Sequence, residues 1–337
     1  MIRFRLRLAD LAATSFAYSP LQEAVLSLRM WTHHARRFPA LRPAFETVRP
    51  AFERLDAQPL LGALVAHRRY WVPDFLTPRP TVPAPDLREE LAALRATDPA
   101  RLRPGIEQTF HPLGEPVPPV LADGLRRPER LLADLADALE AYWHACLRPQ
   151  WWPRARTVLA ADLAHRARTL AEGGADALFR GISERLSWAD DTLTIRRDGP
   201  WPSTPDEIPV DGRRLLLTPS CFADGVSTML DRDAPPHIVY ATRGLATLAE
   251  RPPPPAPQAL AGLLGTTRAR LLVMLADDGP ATTTELAHRL AVTPAAVSQH
   301  LAALHAAALL ERTRHGRHVH YRPTPLGNAL RTGNGHP

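Results

Sequence analysis

No lysine occurs in the 337 residues; all 41 basic positions are arginine. With 36 prolines and abundant alanine, that bias reads as the imprint of a GC-rich genome, so arginine number alone says little about nucleic acid. Cysteine is nearly absent. Cys146 and Cys221 stand far apart and in no metal-ligand spacing, which excludes a disulfide framework, suits a reducing compartment and leaves buried thiols as the expected role. No apolar run approaches the roughly 18 residues needed to span a bilayer. The N-terminal IRFRLRLADLA alternates Ile2, Phe4, Leu6 and Leu8 with arginine, the period of a strand rather than of a signal core. A cytoplasmic chain is expected. Also missing are a G-x-S-x-G elbow around Ser220 in TPSCF, a phosphate-cradling glycine loop and an H-E-x-x-H pair, so neither catalysis nor a cofactor is expected.

What is present is unevenly distributed. From residue 259 onward eight arginines face four acids, so most of the formal net charge of +6 lies in under a quarter of the chain. That asymmetry favours a polyanionic partner for the C-terminal part. The length calls for two domains, and the proline-rich ERPPPPAPQ marks the boundary between them. The expected division is an α+β domain over 1–250, a linker at 251–258 and a smaller domain over 259–330.

In GPATTTELAHRLAV, Thr282 and Glu285 form a capping box that starts a helix near Thr283 and runs to about Leu290. After the turn Ala291-Val292-Thr293, Thr293 and Pro294 supply the N-cap and first residue of a second helix. Its apolar stripe is Val297, Leu301 and Leu304. The opposite face carries Ala295, Gln299, Ala302 and Ala306, flanked by Ala296 and Ser298, small enough to lie against a groove floor. Two helices joined this way match the geometry that places a recognition helix in the major groove. In LLERTRHGRHVHYRPTP, two strand-like runs flank His315-Gly316, read as a hairpin turn with Arg314 opposite Arg317 and Leu310 opposite Tyr321. The histidines there suit exposure or phosphate contact better than a metal site.

RARLLVML, TELAHRLAVTPAAVSQHLAALHAAALL and RTRHGRHVHY together resemble the ArsR-type winged helices of bacterial regulators, over roughly Leu260 to Gly327. The resemblance implies a dimeric repressor that binds a two-fold operator and releases it on a signal. It places DNA contacts on Pro294, Ala295, Ala296, Ser298, Gln299, His300, Arg314 and Arg317; Thr293, Ala302 and His315 join them from their positions beside that surface. Two departures stand out. The helix ELAHRLAV lacks the cysteines of metal-sensing members, so no metal is expected there. Ala308 stands where the family commonly has glycine, which makes a left-handed helix cap less favourable.

Upstream, helices dominate: one capped by Ser19-Pro20 with Leu21, Val25 and Leu28 on one side, one opened by Pro128, and one in PRARTVLAADLAHRARTLAEGG ending at a glycine pair. The N-terminal segment, DTLTIRR, RRLLLTP and HIVYAT are strand candidates for a small sheet packed on helices. SPLQEAVLSLRMW, EAYWHACLRPQWWPRARTVLAADLAHRARTLAEGG, RRLLLTPSCF and HIVYATRG resemble an uncharacterised bacterial domain that recurs upstream of ArsR-type winged helices, a likeness that supports the architecture without supplying a chemistry. Trp143, Trp151, Trp152 and Trp188 either line an apolar ligand pocket or belong to the core. A small organic effector is one expectation for this region, of unknown identity. A protein-interaction scaffold and an enzyme fused to a regulatory domain are the rival readings.

Overall fold

Ile2 and Phe4 are buried and Arg3 and Arg5 exposed, so the first strand, β1 (Ile2–Arg5), forms with the alternation its sequence carries. The computed structural model describes residues 1–196, 207–229, 235–249, 258–315 and 318–332, and the chain divides into two units, Met1–Leu245 and Ala246–Pro337. Of the proline-rich segment expected as a linker, residues 251–257 lie outside the described residues, and Gln258 opens a helix, Gln258–Leu264. No helix among the described residues is long and apolar enough to cross a membrane.

In the first unit the strand candidates separate into two four-stranded sheets. One has the order β3 (Leu186–Ala189), β4 (Thr192–Ile195), β1, β5 (Glu207–Pro209), with Phe4 opposite Leu193 in the antiparallel β1–β4 pair. The other has the order β2 (Ser15–Phe16), β6 (Leu216–Ser220), β8 (His237–Ala241), β7 (Val226–Thr228). The division follows the sequence patterns: β1 alternates, whereas all five residues of β6 are buried, as a parallel strand covered on both faces requires.

Ser19 caps the helix Pro20–Ser27 as expected, its Oγ accepting from the Gln22 amide at 2.8 Å. The helix is buried on every side, including Gln22 and Glu23, instead of only along Leu21 and Val25. Two of its polar groups are met from distant parts of the chain. The Leu21 amide donates to Glu90 Oε2 at 2.8 Å, and the Cys221 amide, just past β6, donates to Glu23 Oε1 at 3.1 Å. Pro128 opens the helix Pro128–Tyr142, which passes through one π turn, Trp143–Leu147. The segment Trp151–Ile182 comprises two helices that meet at Gly174, whose φ of 70° is not helical, so the first stops at the glycine pair as expected and a second follows it. Helix resumes because Ala175, Leu178 and Phe179 pack into the core beside β1 and β4. Buried Arg166 spans the kink, donating to the Gly181 carbonyl at 2.8 Å, while Asp162 accepts from the Tyr240 hydroxyl at 2.7 Å.

Trp143 and Trp151 are buried in the core, whereas Trp152 and Trp188 are half-buried at its margin. Trp143 packs on Trp152 (centroids 5.0 Å apart) and Trp151 on Phe45 and Phe222 (5.6 and 5.2 Å), while Trp188 lies apart, against Phe179. Both cysteines are buried and unbridged.

Burial pushes the Glu90 carboxyl up to about 7 from its ordinary 4.5, against hydrogen bonds from Ser19 and the Leu21 amide that favour the charged form. The folded chain therefore holds this proton where the unfolded chain has lost it, and stability should fall as pH rises from about 4.5 to about 7, then level off. Glu90→Gln, which mimics the protonated carboxyl, should leave the melting midpoint near wild type at pH 5 and raise it at pH 8. Identical midpoint differences between the two pH values in both proteins would contradict the assignment.

Candidate nucleic-acid interface

The second unit is built around the helix Thr266–Asp277, whose Leu271, Leu272, Val273, Met274 and Leu275 are buried among Leu286, Val297, Leu301 and Leu304. Strand β9 (Ala281–Thr282) pairs with β11 (His318–Pro323), which pairs in turn with β10 (Leu310–His315). Thr282 therefore belongs to the sheet by its backbone, opposite His320, and to the next helix by its side chain. Its Oγ1 accepts from the Glu285 amide at 3.3 Å and its amide donates to Glu285 Oε2 at 2.7 Å, the reciprocal capping expected for the helix Thr283–Leu290. Those bonds from Thr282 hold the exposed Glu285 carboxyl below its ordinary range.

Thr293 Oγ1 accepts from the Ala296 amide at 3.3 Å and Pro294 opens the second helix, Pro294–Ala306. Val297, Leu301 and Leu304 are its buried residues. Thr293, Pro294, Ala295, Ser298, Gln299 and Ala302 are all exposed, while Ala296 and His300 are half-buried at the margin. The expected contact residues of the helix thus form one continuous strip of small and short polar side chains. His305, exposed seven residues after Ser298, extends that strip; the helical period alone would have found it.

Both motif helices end the same way. Ala291 and Ala308 have φ of 55° and 57°, in the left-handed region. The Val292 amide donates to the Ala287 carbonyl at 3.1 Å and the Leu309 amide to the Leu304 carbonyl at 3.0 Å, each closing a Schellman cap. Ala308 therefore adopts the conformation that its Cβ disfavours. Thr324 locks it there, its Oγ1 donating to the Ala308 carbonyl at 2.7 Å and its amide to the Leu309 carbonyl at 3.1 Å.

This clamp also corrects the hairpin. Leu310 lies opposite Pro323, Arg312 opposite Tyr321, Arg314 opposite Val319 and His315 opposite His318, in place of the expected Arg314–Arg317 and Leu310–Tyr321 pairs. Register is set at the base of the hairpin, by the Leu309–Thr324 bond, rather than by glycine at its tip. Because the pairing sum changes by two, each side chain keeps its expected face. Leu310 and Tyr321 still anchor that face to the core, and exposed Arg312 and Arg314 continue it outward. Arg312 is an addition that its two-residue spacing from Arg314 signals. Gly316 and Arg317 lie outside the described residues. Among the described residues no cluster of three or more histidine, cysteine or acidic side chains is placed to hold a metal ion.

Residues 265–312 match the family model of bacterial regulatory proteins of the arsR family, about a seventh of the chain. No curated protein and no solved structure matches the chain.

Relieving the left-handed strain should stabilise the unit. Ala291→Gly and Ala308→Gly should each gain about 0.5–1 kcal/mol, since lost steric strain outweighs the extra freedom of an unfolded glycine. Slower hydrogen exchange of core amides such as Leu301 in the full chain is the readout, and faster exchange in both variants would contradict the cap geometry.

Proposed function

We propose that this chain, which carries an ArsR-type helix–turn–helix, is a dimeric transcriptional repressor. It reads a palindromic operator with the helix Pro294–Ala306, grips the backbone with its basic hairpin, and releases DNA when the first unit binds a small organic effector. The observation that carries this reading is the exposed strip Ala295, Ser298, Gln299 and Ala302, with no large side chain to hold the helix off a groove floor. Gln299 supplies the bidentate pair that suits adenine, Ser298 bonds a base or a phosphate, and Ala295 or Ala302 meets a thymine methyl. Arg312 and Arg314 set affinity and register more than sequence.

A dimer follows from coverage, because one short helix and one hairpin span only a half-site, and two-fold operators place such half-sites about 34 Å apart. Leu263 and Leu326 are exposed on the helices Gln258–Leu264 and Pro325–Thr332 and offer apolar contact, to which the first unit adds area. The same strip argues against an interaction scaffold, which would present aromatic or leucine anchors. We regard the chain as a non-catalytic, intracellular regulator. Ser220 is fully buried and its Oγ accepts from the Phe222 amide at 3.0 Å.

Binding of the full chain to its own upstream DNA and to a scrambled duplex, at low and moderate salt, tests the proposal. Selective binding that survives salt is expected; weak, unselective binding abolished by salt would leave only phosphate attraction. Gln299→Ala should relax preference at one base pair by about 1–3 kcal/mol, whereas Arg314→Ala should weaken all sequences alike and flatten the salt dependence. Uniform loss with Gln299→Ala would remove it as a base reader. A monomer by light scattering at micromolar concentration would remove the dimer.

A further inference from the structure

Among the described residues, a cleft of about 460 Å³ in the first unit is lined by six arginines, Arg29, Arg37, Arg68, Arg69, Arg185 and Arg196, and by one carboxylate, Asp224. A GC-rich genome scatters arginine over convex surfaces, but here they converge on a concavity of the size that takes metabolites. The fold neutralises only some of them among the described residues. Asp224 is engaged by Arg37 at 2.8 Å and lies 3.8 Å from His34 Nε2. Arg68 is held by Glu115 at 2.8 Å, behind the lining. Arg29, Arg69 and Arg196 form no ion pair within 4.0 Å among the described residues.

Three further features mark a built site. Arg29 is half-buried and its Nε donates to the Tyr70 carbonyl at 3.0 Å; burial pushes its pKa down to about 10, so it keeps its charge at neutral pH while lacking full solvation. His34, which lines the cleft, is only 9% exposed, and its buried Nε2 has no hydrogen-bond partner. Tyr70 takes φ of 56°, a conformation a bulky side chain adopts only when its surroundings impose it. That backbone turns the carbonyl to Arg29 and sets the ring 4.6 Å from the His34 ring. Tyr70 and Trp71 give the cleft a flat apolar wall beside its cations.

We infer that this cleft binds a small organic polyanion, carrying at least two carboxylate or phosphate groups, between the arginines and the Tyr70–Trp71 wall. Guanidinium forks accept such oxyanions in paired hydrogen bonds, and a ligand would relieve the mutual repulsion of the cluster. Only the step from binding to release of DNA rests on the regulator reading above.

Isothermal titration of the full chain without DNA, at 0.15 M salt, separates the two ideas, with citrate and inorganic pyrophosphate as probes. At least one should bind one-to-one with Kd on the order of 0.1 mM. Preference for citrate would assign carboxylates, and preference for pyrophosphate would assign phosphates. Because Arg29 is half-buried, the exposed pair Arg69→Ser and Arg196→Ser carries the test: the double variant should keep the wild-type melting midpoint and lose affinity at least about ten-fold. Arg130→Ser, which removes a surface pair with Asp134 outside the cleft, should bind as wild type. Absence of saturable binding by both probes, equal loss in Arg130→Ser, or tighter binding of a short single-stranded oligonucleotide through the same arginines would overturn the assignment. The outcome does not depend on operator recognition, which is measured separately.

Discussion

The bond between the Cys221 amide and the Glu23 carboxyl ties the helix Pro20–Ser27 to the segment that follows β6 in the first unit. Six residues after Glu23 comes Arg29, and five more bring His34; three residues after Cys221 comes Asp224, followed by the rest of that side of the cleft. One buried hydrogen bond thus sets the two sides of the cavity against each other. It lies in an interior where burial pushes the Glu23 carboxyl up to about 7, so the contact is held by geometry and exclusion of water more than by full charge. Glu90 serves the same first turn of that helix through the Leu21 amide. The helix is buried all round, and its orphan N–H groups need partners from distant parts of the chain.

The second unit solves a different problem, the placement of a polar strip at a fixed angle to a hairpin. Thr282 joins sheet to helix, and Thr324 joins the hairpin base to the cap of Pro294–Ala306. Alanines in left-handed caps make those turns at a steric cost, which the clamp by Thr324 offsets at Ala308. Gly327 completes the junction: a Cβ there would stand 2.3 Å from the Leu309 carbonyl oxygen, so only glycine lets the last helix approach. Strip and hairpin are therefore held by short backbone bonds rather than by long flexible side chains.

Arginine serves three physical roles in this lysine-free chain. Arg166 is buried and hydrogen-bonded, a strut across the Gly174 kink. Arg312 and Arg314 project from a strand into solvent, where a phosphate backbone can be met without desolvating the protein first. Arg29 sits between these extremes, half out of water beside a cavity. Composition cannot separate the three, because the difference lies in how much water each guanidinium has lost and which carbonyl it meets.

The amino-acid order by itself determined the local machinery of the second unit: the capping box at Thr282, the start at Thr293-Pro294, the buried stripe Val297–Leu301–Leu304 and the polar strip opposite. Caps and helical faces depend on residues three or four apart, so a linear reading contains them. Tertiary structure decided the hairpin register, which is set by Leu309 meeting Thr324 across the sheet base, and the left-handed turn at Ala308 that propensity alone disfavours. It also decided that Trp143 and Trp151 belong to the core and that arginines scattered from Arg29 to Arg196 share one cleft. Contacts between residues more than a hundred positions apart leave no periodic trace in a single sequence; they exist only once burial of apolar surface has brought the distant segments together.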